Sequence, residues 1–219
     1  MRHLFFMLWL AFLPLAAQAG PWPRDTGSWF VSTAYGQERA VSRWRHFAEI
    51  YAEYGATERL TLAAQLRHGA GGRYGDLLAR WHPGTGGNAP PFGLGAGLRL
   101  QPGGTDQALL LLAAHLGHGF DIQGRNAWTR LDLQMQARPA QPLSPIEWSL
   151  SGQLGLRDAR GLIGMVSVTG KRRNGASLLE VSPAIGHEIG RRHTLVLSLT
   201  ATPSAPQMRS AQLSLWSRF

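Results

Sequence analysis

In this 219-residue chain the side chains that invite a chemical reading are His115 and His118, the run Gly93, Gly95 and Gly97, and the serines Ser149 and Ser151. Spacing argues against each. Two histidines three positions apart fall on opposite faces of an extended strand and cannot readily share a metal. The glycine run lacks the spacing and the following helix of a phosphate-binding loop; glycines alternating on one face instead make room for a bulky neighbour or let a sheet bend. Ser149, Ser151 and His115 supply the residue types of a hydrolase, but no G-x-S-x-G motif ties them together. Without cysteine there is no disulfide, no thiolate nucleophile and no thiolate-held metal. We assign no catalytic residue, no metal and no cofactor.

The ionic residues form a larger set. Glu49, Glu53, Arg67, Asp76, Arg80, Arg99, Arg130, Asp132, Glu147, Glu180 and Arg218 all lie in segments of period two, on the face opposite the apolar one. From Ile146 to Leu156 the apolar positions Ile146, Trp148, Leu150, Leu154 and Leu156 alternate with Glu147, Ser149, Ser151 and Gln153. Thr129 to Ala137 and Thr194 to Ala201 repeat the pattern. A helical period would scatter those polar residues onto the apolar stripe. Twelve strands are predicted, with cores at 27–36, 46–55, 58–69, 74–82, 92–101, 107–118, 126–137, 146–156, 160–170, 177–188, 192–202 and 208–219. Most connectors are short and rich in Gly, Pro, Asn and Asp, which makes sequential strands antiparallel neighbours. A sheet this long closes on itself because open edges invite pairing with other chains. Pro183 falls inside the tenth strand and implies a bulge or a misplaced boundary there.

The first residues predict export. Arg2 and His3 precede the apolar run Leu4 to Leu15, and Ala17-Gln18-Ala19 offers the small-x-small pattern of a signal peptidase site. We read residues 1–19 as a cleaved signal peptide and residues 20–219 as one barrel domain. The run is interrupted by Pro14 and is too short for a retained span, and Ala108 to Ala114 is shorter still.

Alternation alone does not say whether the apolar face is the inside of a soluble barrel or the outside of a membrane barrel. The aromatic residues Trp29, Tyr54, Trp81, Phe92, Phe120, Trp128, Trp148 and Trp216 sit near strand ends, as girdles at two membrane interfaces would. The chain ends in Leu213-Ser-Leu215-Trp-Ser217-Arg-Phe219, alternating and closing on an aromatic residue, with Ser217 where an apolar residue is the more usual choice. This ending resembles the terminal signature of Gram-negative outer-membrane β-barrels. Tyr54-Gly-Ala-Thr-Glu-Arg-Leu-Thr-Leu62 resembles their tight periplasmic turns, and Gly20-Pro-Trp-Pro-Arg24 resembles small alphaproteobacterial barrels. The resemblance implies an antiparallel up-and-down transmembrane barrel in the outer membrane, with Phe219, Leu215 and Leu213 as the signal read by the barrel assembly machinery.

An even strand count returns both termini to one side, so the turns near Thr57, Asp158 and Gly190 are expected in the periplasm and the loop at Lys171 to Gly175, including Asn174, outside. The formal charge of +9 resides almost wholly in arginine, Lys171 being the one lysine. Arg43, Arg45, Arg73, Arg138, Arg172 and Arg173 fall in or beside outer loops, where their forked donors suit the phosphates of lipopolysaccharide. The basic residues are not gathered into one run, and no nucleic-acid partner is assigned. Inside, Glu49, Glu53, Arg67, Asp76, Arg80 and Arg130 are expected to form a connected belt of opposite charges. The function expected is a small channel or structural barrel with a polar, charge-paired lumen, passing a small polar solute. Two alternatives stand beside it. A Ser-His pair within reach at the lipid edge would mark an outer-membrane lipid-modifying enzyme, and an apolar interior would mark a soluble periplasmic barrel binding an apolar ligand.

Overall fold

In a computed structural model the described residues are 22–40, 43–70, 72–84, 91–103, 107–173, 175–203 and 207–219; the expected signal peptide and Asn174 lie outside them. Twelve strands follow in order: β1 (Trp29–Ala40), β2 (Arg43–Thr57), β3 (Leu60–Gly69), β4 (Gly72–Trp81), β5 (Phe92–Leu100), β6 (Ala108–Ile122), β7 (Arg125–Arg138), β8 (Gln141–Arg157), β9 (Leu162–Arg173), β10 (Ala176–Ile189), β11 (His193–Thr202) and β12 (Gln207–Arg218). Each pairs antiparallel with the next, and β12 returns to β1, which closes the barrel. The seam runs from Phe30 opposite Arg218 to Glu38 opposite Ser210. Trp29 and Phe219 exchange two backbone hydrogen bonds of 3.0 Å at its end, so the start of β1 and the end of β12 meet at one rim. We call this the terminal rim; the turns after β2, β8 and β10 share it.

Both faces follow the period-two pattern. Leu131, Leu133, Leu150, Leu154, Leu197, Leu199 and Leu213 are all exposed on the outside, whereas Leu109, Leu111, Ile163 and Val196 are buried inside. A continuous outer surface of leucine is what a hydrocarbon solvent requires of a barrel. Trp29, Trp81, Phe92 and Trp148 are also exposed on that surface.

Two aromatic residues depart from the expected girdles. Trp128 is buried in the lumen with Ile163, Met165 and Val196, and Trp216 and Trp22 pack against that cluster. The phase explains it: Trp128 is in step with the inward Arg130 and Asp132, and Trp216 with Arg218. The Trp128 ring lies across Gly155, where any Cβ would overlap the indole. Gly155→Ala should therefore destabilise the barrel by about 1–3 kcal/mol through overpacking. Gly152→Ala, with open space around its Cα, should be close to neutral. Urea unfolding of the two variants in the same detergent makes the comparison.

Pro183 does not produce the expected bulge. Val181 opposite Ala201 and Ala184 opposite Ser198 keep one register across it, and Pro183 itself pairs with Val166 of β9. Only the ladder toward β11 is interrupted, because that is the side on which the missing N–H would have donated. The register shift falls instead between Thr200 and Ala201, against β12.

Candidate functional site in the lumen

The lumen is lined by ion pairs made between neighbouring strands. Glu49 of β2 stands directly opposite Arg67 of β3. Its carboxylate takes a 3.0 Å hydrogen bond from Arg67 Nη1, and Glu38 of β1 takes one of 2.5 Å from Nη2. The same guanidinium lies 4.1 Å from the centre of the buried Phe47 ring. Toward the terminal rim, Glu53 is 2 % exposed and Arg80 is 2 % exposed. Glu53 accepts from Arg80, from the Tyr51 hydroxyl and, at 2.5 Å, from Arg24 Nε. On the next strands Arg99 holds Asp76 with two bonds of 2.7 Å, the paired fork geometry that suits guanidinium to carboxylate. Arg99 also donates to Gln136, which donates to Glu147 at 2.9 Å. Arg130 pairs with Asp132. Lys171 meets Glu180 at 2.7 Å, and Glu188 takes both Arg157 and Arg218.

All the ionic residues singled out from the sequence thus face the lumen, but the belt expected from six of them is divided differently. The expected belt sets Asp76 and Arg80 beside Arg67 of β3. Asp76 instead pairs on its other side, with Arg99 directly opposite it in the β4–β5 ladder, because cross-strand partners lie only about 5 Å apart. The result is a stack of clusters at different heights.

The glycines of β5 serve this arrangement. An added Cβ at Gly95 would stand 3.3 Å from Arg80 Cγ, and one at Gly93 3.0 Å from the His82 ring. The run clears room for two bulky lumen side chains. His82, just past the end of β4, is 1 % exposed; burial and the Arg80 guanidinium hold its imidazole below the usual histidine range.

His115 faces inward and His118 outward, stacked on Phe120. His115 Nδ1 lies 2.6 Å from Asp132. A carboxylate only accepts, so Nδ1 carries the proton and Nε2 is left without a hydrogen-bond partner. It borders a luminal cavity of about 290 Å³ lined also by Tyr51, Glu53, Asp76, Arg80, Arg130 and Gln134. Asp132 is opposite Ser151 on its other side, and the Ser151 hydroxyl bonds Thr169 at 2.8 Å. The acid therefore lies between the serine and the histidine. Activation of a serine needs the base in that place, and none of the three is at the lipid edge.

Sequence reasoning missed Arg24, Glu38 and Tyr51. Glu38 and Tyr51 carry a usable signal, being in phase with inward residues of their own strands. Arg24 precedes the first strand, where no alternation exists to read.

No protein-family model matches the sequence, and no curated protein is similar to it in sequence. Solved structures are similar in fold. The KdgM porin matches with a TM-score of 0.60 at 8 % identity, over 86 % of this chain and 99 % of that one; it has also been solved in complex with disordered oligogalacturonate. The NanC porin matches with a TM-score of 0.64 at 7 % identity, over 86 % and 98 %. An outer membrane channel from Pseudomonas putida F1 matches with a TM-score of 0.54 at 13 % identity, over 94 % and 99 %. At such identities the likeness is one of fold.

Proposed function

We propose that this chain is a small channel of the outer membrane whose lumen admits a polar solute past stacked ion pairs. The observation that carries the proposal is the inversion of the two faces: leucine outside, and guanidinium-carboxylate pairs inside. A soluble carrier of an apolar ligand needs the opposite arrangement. Oligogalacturonate in the KdgM porin is a polar solute, and a small polar solute is the class we assign here.

Residues 1–19 act in this proposal as the export signal, and Gly20-Pro-Trp-Pro-Arg24 adds a likeness to small alphaproteobacterial barrels. Phe219, Leu215 and Leu213 engage the assembly machinery. Arg43, Arg45, Arg73, Arg138, Arg172 and Arg173 are all exposed at the rim opposite the chain ends, where they meet the phosphates of lipopolysaccharide. That orientation puts the terminal rim in the periplasm. A cysteine at Ala176 should then label on intact cells with an impermeant reagent and one at Ala159 should not; the reverse result inverts the barrel.

Planar-bilayer recording of the refolded protein tests the function. Arg67→Ala with Arg80→Ala removes the cation shared by Glu38 and Glu49 and one of the two on Glu53 while leaving Asp76 with Arg99, so current should shift toward cations. No current in the parent, in this double variant or in any variant of the residues ahead of β1 refutes the channel.

A further inference from the structure

Residues 22–28, just ahead of β1, turn back into the barrel. Asp25 accepts hydrogen bonds from the Ser28 backbone at 2.9 Å and the Ser28 hydroxyl at 2.7 Å. Gly27, at φ 81°, supplies the left-handed residue that the reversal needs. The incoming strand then crosses Gly55 so closely that a Cβ there would overlap the Asp25 carbonyl oxygen. Gly27 donates to the Gly55 carbonyl at 2.8 Å and Gly55 to the Ser28 carbonyl at 3.0 Å. From this turn the segment reaches two different walls. Arg24 is on the wall of β2 and β3, with Nε on Glu53 at 2.5 Å and its backbone N–H on Thr61 at 3.2 Å. Its guanidinium also lies 4.6 Å from the Phe30 ring. Trp22, two residues earlier, is on the far wall, against the cluster of Trp128, Ile163 and Val196 from β7, β9 and β11.

Two residues of extended chain cover about 7 Å. A segment that touches opposite walls over that distance occupies the cross-section between them. We propose that residues 22–25 are a displaceable plug that shuts the terminal end of the lumen, with the Trp22 ring as its seal and the Arg24–Glu53 pair as its latch. The construction is suited to release. The segment adds no strand to the barrel, so its departure leaves the closed sheet intact, and Glu53 keeps Arg80 when Arg24 leaves. Its described hold is one ionic contact, the Arg24 guanidinium over the Phe30 ring, one backbone hydrogen bond to a threonine and one indole. A plug of this kind presupposes the channel proposed above.

The test uses the refolded barrel, residues 20–219, with a single cysteine in place of Ala63, buried one inward position further along β3 than Thr61 and bordering the luminal cavity. The absence of native cysteine makes its thiol the one that reacts. In the otherwise unchanged background Ala63→Cys should react slowly with a water-soluble maleimide. Adding Trp22→Ala or Arg24→Ala should speed the reaction about tenfold or more, the open population gained when one charge-assisted contact is lost. Arg24→Lys, which keeps the charge, should retain most of the protection. The same proteins are recorded in planar bilayers, where Trp22→Ala and Arg24→Ala should open more often than the parent. Unchanged labelling in both variants overturns the plug. Equal currents in parent and variants also overturn it, and leave the channel standing. Faster labelling with no current in any variant overturns the channel and the plug with it, leaving a segment that moves without opening a path.

Discussion

Glu53→Gln should be among the most destabilising single substitutions in the lumen, lowering the unfolding free energy by about 3–5 kcal/mol, the usual cost of removing one partner from a buried ion pair. The side chain is 2 % exposed and holds two guanidiniums, those of Arg24 and Arg80, each itself nearly buried. Glutamine preserves the volume, so the loss isolates charge. Two cations are then left with a neutral amide oxygen where water has little access, and the Tyr51 hydroxyl loses a charged acceptor. Glu180→Gln provides the comparison. Its partner Lys171 is 41 % exposed, solvent screens the pair, and the cost should stay below about 1 kcal/mol. Denaturant titration of both variants in one detergent checks the pair of values. Similar losses at the two sites would mean that the Glu53 cluster is far better hydrated than its geometry indicates.

The contrast between these two glutamates could not be read from the chain. Both occupy the inward phase of their strands, and phase is the property that sequence displays well. Alternation from Thr129 to Ala137 separates Leu131 and Leu133 from Arg130, Asp132 and Gln134, and every described strand overlaps the predicted core. What alternation omits is height along the barrel and identity across the ladder. Asp76 meets Arg99 because of the register between β4 and β5, and no local pattern near either residue encodes that offset. Trp128 and Trp216 were legible in principle. They share the phase of charged neighbours, but an aromatic residue near a strand end suits an interface girdle as well as a lumen seal, and the phase is the better guide. Arg24 was not legible at all. It lies outside any strand, and its place beside Glu53 depends on the chain reversal at Gly27.

The outer face carries the other large effect. Leu133 is exposed to the side of β7 that the leucine surface assigns to lipid, well inside the strand. Gln134, its neighbour, borders the luminal cavity with Arg80, Arg130 and His115. Leu133→Arg puts a guanidinium into hydrocarbon and should cost about 2–4 kcal/mol if the site is near the bilayer midplane. Gln134→Arg adds like charge beside Arg130, yet the group stays in a polar cavity with Asp132 near by, and the loss should be much smaller. The two substitutions are adjacent in the chain and identical in the residue introduced, so propensity and chain entropy largely cancel between them. Refolding titrations in lipid vesicles isolate the solvent on each side of the sheet. In detergent micelles, which deform around a charge, the difference should narrow. A wide gap in vesicles assigns hydrocarbon to the leucine face. Equal costs would mean that no such difference in solvent exists across β7, and a larger cost at Gln134 would turn the barrel inside out.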